Sequence, residues 1–449
     1  MRKSFPLLLV ILLGLVLRLI KIDQSFWLDE ASQAQLSLLP LSQIWFGRVG
    51  DFHPPLFYFL SHFWLQLGRS EVWLRLLPVS FGVATIYVLH LFGQKLKLGI
   101  LPAFLLSIAP FHIYYSQEFR SYSLLCLLGT LTMYLLHERK FFWLSLINAL
   151  LLYTHYSSIF LIIAQLCYLI FYSRNDLKQH IYFSLLTLVL YVPWLPQFYK
   201  QLQSGTNIDT YLPGWRNVLS VPLLKAFPVI IFKLVAGRIT FLSRYLYGAY
   251  IVFVLAVTFA SLFVSRVKNQ FLLIWLFVPL FALLVTSVAL PQNQPFRVMF
   301  VLPALILLFS FSCQRFPKLF TTLFIYIAIV GNLAYFTRVR LQREQWRQAI
   351  SFLEKQSGAI VVKFSDKFSP FYWYAPQLPV LAAISSFPAE TASVTSKLSS
   401  VSGPIYTLDY LGDLTDPGRA IESSLGNMGY AQTAIYDFPG VGFIRKYSQ

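Results

Sequence analysis

The chain has 449 residues, of which 57% are hydrophobic and 12% charged, with a formal net charge of +18. A mean hydropathy of +0.62 and a charged fraction well under the about 25% of soluble domains exclude an ordinary soluble protein. The positive charge sits in short loops between apolar runs, as membrane orientation signals do, so no nucleic-acid partner is implied.

The N-terminal stretch MRKSFPLLLVILLGLVLRLI resembles a signal peptide but lacks a small-residue cleavage site and carries Arg18 late in the run. A retained first span is therefore expected. Apolar runs then recur near 4–20, 73–93, 98–113, 121–137, 141–153, 156–173, 181–195, 246–264, 270–290, 298–312 and 319–336. These predict a polytopic α-helical membrane protein of about 11 transmembrane helices. Alternate short loops carry Arg2 and Lys3, Lys95 and Lys97, Arg139 and Lys140, Arg174 and Lys178, Arg266 and Lys268, and Arg315 and Lys318. That face is read as cytoplasmic, which places the N-terminus inside and the tail outside the plasma (inner) membrane.

The opposite face receives the first outer loop 21–72, then 114–122, 153–158, 196–245 and 291–297. Segment 218–245 is interrupted by Pro222, Lys225, Pro228, Lys233 and Gly237, which fits an interfacial or re-entrant piece better than a span. Domain limits follow: a membrane domain over 1–337 and an outer domain over 338–449. In the tail, REQWRQAISFLEKQ and DPGRAIESSLGNMGY have helical patterns, while AIVVKF, LPVLAAI, PIYTLDY and AQTAIYDF read as strands, so a small C-terminal α/β domain is expected. Cys126, Cys167 and Cys313 offer neither a pairing pattern nor a C-x-x-C metal motif.

Candidate chemistry gathers on the outer face. Asp29 and Glu30 follow Phe26, Trp27 and Leu28, and a carboxylate desolvated by apolar neighbours is a stronger base. An exposed pair at a helix start would be the bland alternative. His53 precedes Pro54 and Pro55, as a turn residue, a hydrogen-bond donor or a metal ligand. Glu118 and Arg120, in SQEFRSY with Tyr122, lie between two spans, where ionisable groups either pair with each other or face a cavity. His155 sits between Tyr153 and Tyr156, and Arg297 opens a late span as an interfacial anchor or a phosphate fork. Carboxylates plus arginines at one surface suit a site that activates a hydroxyl and holds a phosphate leaving group. No G-x-x-x-x-G-K-[ST] or G-x-G-x-x-G motif occurs, so a nucleotide donor is not indicated.

At FWLDEA, HPPLFYFLSHFWLQLG, RSEVWLRLLPVSFG, SQEFRSYSLLCLL, YTHYSSIFLIIAQ and PFRVMFVLPALILL the chain resembles the bacterial branch of the protein O-mannosyltransferase superfamily. That group surrounds glycosyltransferase family 39 and has the aminoarabinose transferases of lipid A as relatives. EQWRQAISFL resembles the start of these proteins' outer domain. The resemblance implies a C-type glycosyltransferase fold and transfer of a sugar from a polyprenyl-phosphate donor to a protein, lipid or glycan acceptor at the outer surface. It makes Asp29 the catalytic base, with Glu30 beside it, and gives Glu118 the acidic position after the third span. Arg120, Tyr122, His53, His155 and Arg297 would then bind substrate or phosphate. Where the lipid A transferases carry lysine before the prolines, this chain has His53. Some relatives bind a divalent metal, for which His53 and His155 are candidate ligands; no metal and no other cofactor is assigned. A transporter or flippase of lipid-linked sugars, or a surface polysaccharide ligase or polymerase, is the alternative class. A flippase would predict inverted repeats and polar residues at the bilayer midplane, and neither is visible in the sequence.

Overall fold

Peptide groups in hydrocarbon have only their own chain to bond to, so long apolar runs fold as helices. The structure is a computed structural model that describes residues 5–47, 52–207, 214–215, 218, 221–265, 269–290 and 292–449. The orientation signals Arg2, Lys3, Arg266 and Lys268 lie outside the described residues. Helices long and apolar enough to cross a membrane are Glu71–Lys95, Arg174–Thr206, Arg244–Ser265, Pro295–Arg315 and Pro317–Thr337. Shorter apolar helices include Phe5–Leu19, Leu56–Leu65, Tyr122–His137, Phe141–Leu152, Tyr156–Tyr172 and Gln270–Thr286. The protein is a polytopic α-helical membrane protein with a small C-terminal α/β domain.

The chain packs as two compact units. The membrane unit comprises Met1–Ile22, Pro40–Gly205 and Leu219–Leu341; the tail unit comprises Asp23–Leu39, Thr206–Val218 and Gln342–Gln449. Residues 23–39, which the sequence reading places in the membrane domain's first outer loop, belong to the tail unit.

In the membrane unit the run at 98–113 is two helices, Leu101–Ile108 and Pro110–Ser116, broken at Ala109. Pro110 has no amide hydrogen to donate to Leu106, whose carbonyl takes from the backbone only the Ala109 amide at 3.3 Å, so the helical hydrogen-bond ladder is thinned inside the bundle. Arg18, fully buried, makes good the loss. Its guanidinium donates to Ser107 O at 3.1 Å and Leu106 O at 3.3 Å, and also to Gly14 O at 2.7 Å and His112 Nδ1 at 2.6 Å. Helix Pro317–Thr337 approaches the break closely because position 331 is glycine: a Cβ there would lie 2.5 Å from Ala236 O and 2.7 Å from Pro110 Cγ. Segment 218–245 contains helix Leu223–Ala236 of 14 residues. At 1.5 Å per residue it spans about 21 Å, short of a hydrocarbon core.

The tail unit is built on a five-stranded sheet of β1 Ala359–Val362, β2 Leu381–Ala382, β3 Ile405–Leu408, β4 Ala431–Phe438 and β5 Gly442–Ser448, in the order β2-β1-β3-β5-β4. β1 runs parallel to β2 and β3, whereas β5 is antiparallel to β3 and β4. Alternation sends Ile360, Val362, Tyr406 and Leu408 to one face, where they pack with Trp346, Ile350 and Phe371. Val361 and Ile405 go to the other, with Val394, Leu398, Ile421 and Leu425. Helix Leu28–Ser37 packs against helix Ser369–Tyr374. The last strand, GFIRKYS, escapes the sequence reading because Arg445 and Lys446 interrupt its apolar alternation.

Candidate functional site

The membrane unit collects arginine and histidine side chains at one end through the turns between its helices. His53 lies just ahead of helix Leu56–Leu65, Arg120 in the turn after Pro110–Ser116, His155 ahead of the 3-10 turn Tyr156–Ser158, and Arg297 in the 3-10 turn Pro295–Val301. Arg120 Nη2 donates to His53 Nε2 at 3.0 Å. The rings of His53 and His155 lie 6.2 Å apart, and Tyr122 lies 6.2 Å from His155. Burial first, and then the charges of His53, Arg297 and Arg120, hold the His155 imidazole well below its ordinary range. It is therefore neutral, and its Nδ1 accepts the Ser157 backbone amide at 3.2 Å. The Ser157 hydroxyl also donates to Arg297 O, which ties the 153–158 turn to the turn carrying Arg297.

Each turn is held from behind. Gln117 donates to Arg18 O at 2.9 Å and Ile20 O at 2.7 Å, and accepts from Tyr335 OH at 2.8 Å. Glu118 is buried, and the Arg120 amide bonds its carbonyl at 2.6 Å, so the turn is tight. Leu56 N donates to Tyr153 O at 3.0 Å and Gln201 to His53 O at 3.4 Å, fixing the His53 loop. Aromatic rings continue the patch: Tyr122 stands 4.7 Å from Phe296 and 5.5 Å from Tyr115. Tyr115 lies within electrostatic reach of Arg238 and Glu118, and Arg238 donates to Tyr114 OH at 2.6 Å. Five of the sequence-derived residues, His53, Glu118, Arg120, Tyr122 and His155, thus share this end of the unit with Arg297. Arg238, from the interrupted segment 218–245, joins them through Tyr114.

Among the described residues no group of three or more His, Cys, Asp or Glu side chains is placed to hold an ion. His53 Nε2 and His155 Nδ1 already accept hydrogen bonds.

Asp29 and Glu30 fall in the tail unit, on the first turn of helix Leu28–Ser37. Asp29 is half-buried and Glu30 fully buried. The apolar residues before them serve the tail's own core. Phe26 is buried 5.6 Å from the Trp373 ring, and Leu28 packs on the Trp346 cluster. The stretch 24–26 is stitched to the tail by Arg343 N to Gln24 Oε1 at 2.7 Å, Arg347 N to Ser25 Oγ at 2.9 Å and Phe26 N to Tyr374 OH at 2.7 Å. Glu344, which sequence reasoning passed over, takes the Leu28 amide at 3.2 Å, the Trp346 indole at 2.7 Å and the Tyr410 hydroxyl at 3.1 Å. Burial pushes its carboxyl up to about 7 against those donors, and Asp29 adds to the rise. Burial, Glu344 and Asp29 likewise hold the Tyr410 phenol well above its usual value.

No family model and no curated protein matches the sequence. Two solved structures are similar over nearly their full lengths. The crystal structure of ArnT from Cupriavidus metallidurans bound to undecaprenyl phosphate has a TM-score of 0.57 at 12% identity, covering 99% of this chain and 98% of that one. The same organism's ArnT in the apo state gives 0.61 at 13% identity, covering 100% and 98%. The likeness is one of fold: the chain shares the fold of these structures over nearly its whole length.

Proposed function

We propose that the protein is an integral membrane glycosyltransferase that moves a sugar from a polyprenyl-phosphate donor to an acceptor hydroxyl or phosphate at the outer face of the plasma membrane. The observation that carries this reading is the convergence of His53, Arg120, His155 and Arg297 from four separate turns. A lone surface arginine needs no such assembly; a diphosphate-like or phosphomonoester head with several oxygens does. The undecaprenyl phosphate bound to the ArnT neighbour supports the same ligand class.

In the proposed reaction Asp29 accepts the proton of the acceptor hydroxyl as its oxygen attacks the anomeric carbon. The new carbon–oxygen bond forms as the bond to the donor phosphate breaks, and polyprenyl phosphate departs with the electron pair. A single displacement inverts the anomeric configuration. Arg120 and Arg297 stabilise charge on the departing phosphate, with Arg238 behind them, and such preorganised cations act most strongly where water is excluded. His53 and Tyr122 line the phosphate position; His155 is neutral and orients through Ser157. Glu118 binds the acceptor, and Glu30, buried behind Asp29, supports the turn.

The test is incubation of the purified protein in detergent or vesicles with a panel of radiolabelled polyprenyl-phosphate sugars. Label should pass to an acceptor, or to water, from at least one donor. Movement of intact lipid-linked sugar across the vesicle with no cleavage would instead make the protein a transporter, and would overturn the reading.

A further inference from the structure

We propose that Glu344 is a positioning residue for Asp29, holding the first turn of helix Leu28–Ser37 against the tail domain through the Leu28 amide. The inference deepens the reading of Asp29 as base and rests on it. The first amides of a helix have no partner within it, and the residue before this one, Trp27, supplies no side-chain cap. Glu344 fills that role from 316 positions away, its Oε2 receiving Leu28 N at 3.2 Å. The carboxyl group cannot swing, because Trp346 Nε1 and Tyr410 OH hold it from two other elements. On the far side of Asp29, Ser32 Oγ and Ser369 Oγ lie 2.7 Å apart and Gln35 donates to Ser369 O at 3.3 Å. Asp29 is therefore bracketed by fixed contacts one residue before it and three after it. A displacement of about 1 Å in a reacting group costs on the order of 100-fold in rate, so a base on a loop-borne helix needs such a bracket.

The clamp requires a hydrogen-bond acceptor, not a charge, and this separates it from an electrostatic role. Glu344→Gln keeps an oxygen for Leu28 N and Trp346 Nε1; Glu344→Ala removes it. Leu28→Pro deletes the amide, since proline is tolerated at a first helical position and Trp27 already has the extended backbone that precedes proline (φ −84°, ψ 173°); it also takes the leucine side chain off the Trp346 cluster, a loss that the control Leu28→Ala shares while keeping the amide and near-normal kcat. With the full-length protein, kcat for sugar transfer should fall about 100-fold in Glu344→Ala and in Leu28→Pro with donor KM within about twofold, while Glu344→Gln stays within about threefold of wild type. Hydrogen exchange over residues 26–37 should quicken in the first two variants and not in the third. Full kcat in Leu28→Pro, or a glutamine variant as slow as the alanine one, overturns the clamp. Should wild type transfer nothing from any donor, the base reading falls on its own; unchanged exchange in Glu344→Ala would then still remove the clamp, and faster exchange would keep it.

Discussion

The two units hold their candidate residues by opposite routes. The membrane unit places each candidate side chain in a short turn between two helices, so these side chains meet because the helix ends meet. The tail unit holds Asp29 on a helix that the chain delivers early and a domain made at the other end of the sequence receives. Turn residues in a bundle inherit their precision from helix packing. A captured helix has to be fastened bond by bond, and the tail supplies those bonds from Arg343, Glu344, Arg347, Ser369 and Tyr374.

That contrast can be broken or sharpened by mutation. The largest effect belongs to Asp29→Asn, expected to lower transfer about 1,000-fold, within the range for loss of a general base, with thermal stability unchanged. Near-normal turnover would remove Asp29 from the role and leave the cationic unit as the whole site. Next comes Lys363→Met in the tail, a structural counterpart. Burial pulls the Lys363 ammonium down, but Glu422 and Asp409 outweigh it and leave it raised. Lys363 bonds Asp409 at 3.0 Å and also Glu422, and Arg445 shares Asp409 at 2.7 Å. Removing the lysine strands Glu422 and leaves Asp409 to Arg445 alone, at about 3 kcal/mol. Limited proteolysis should open the tail at lower temperature, with transfer intact below it.

Arg120→Ala should cost about 2 kcal/mol in kcat/KM, or roughly 30-fold, as a charge-assisted contact does. Titrating ionic strength and donor together would reveal whether the loss lies in donor binding. The smallest effect concerns pH. The Glu344 carboxyl titrates near 7 in the fold and near 4.3 in an unfolded chain. Between those values the folded state binds the extra proton, so its stabilising contribution is complete below about pH 4 and is lost as pH rises through 7. Glu344→Gln should melt above wild type at pH 8 and keep only about half of that advantage at pH 5.5, a difference of order 2 kcal/mol. A constant offset at both pH values would mean the group does not titrate there.

Much of the membrane part is legible because apolar length and basic loops are one-dimensional signals. The helices Glu71–Lys95, Arg244–Ser265 and Pro317–Thr337 lie where the apolar runs lie. The break at Ala109 shows the limit: a proline in a hydrophobic run can be absorbed when a distant arginine donates to the carbonyls beside it, and Arg18 reads from sequence only as a charge in the wrong place. In the site, His53, Arg120, His155 and Arg297 are visible as polar residues at span ends. Glu344 and Tyr410 are not, since nothing local marks them as partners of Leu28 and Asp29. Phe26 misleads for the same reason: a phenylalanine beside a span looks interfacial, yet here it is a core residue of a domain more than 300 positions downstream.

The stitching of residues 24–26 to 343–374 has a consequence for biogenesis. Synthesis runs from the amino end, so the segment bearing Asp29 emerges among the first parts of the chain and waits through every later transmembrane insertion before its docking surface exists. A truncated or stalled product would carry all its membrane helices and still lack an ordered carboxylate, so premature fragments should be inert toward lipid-linked sugars.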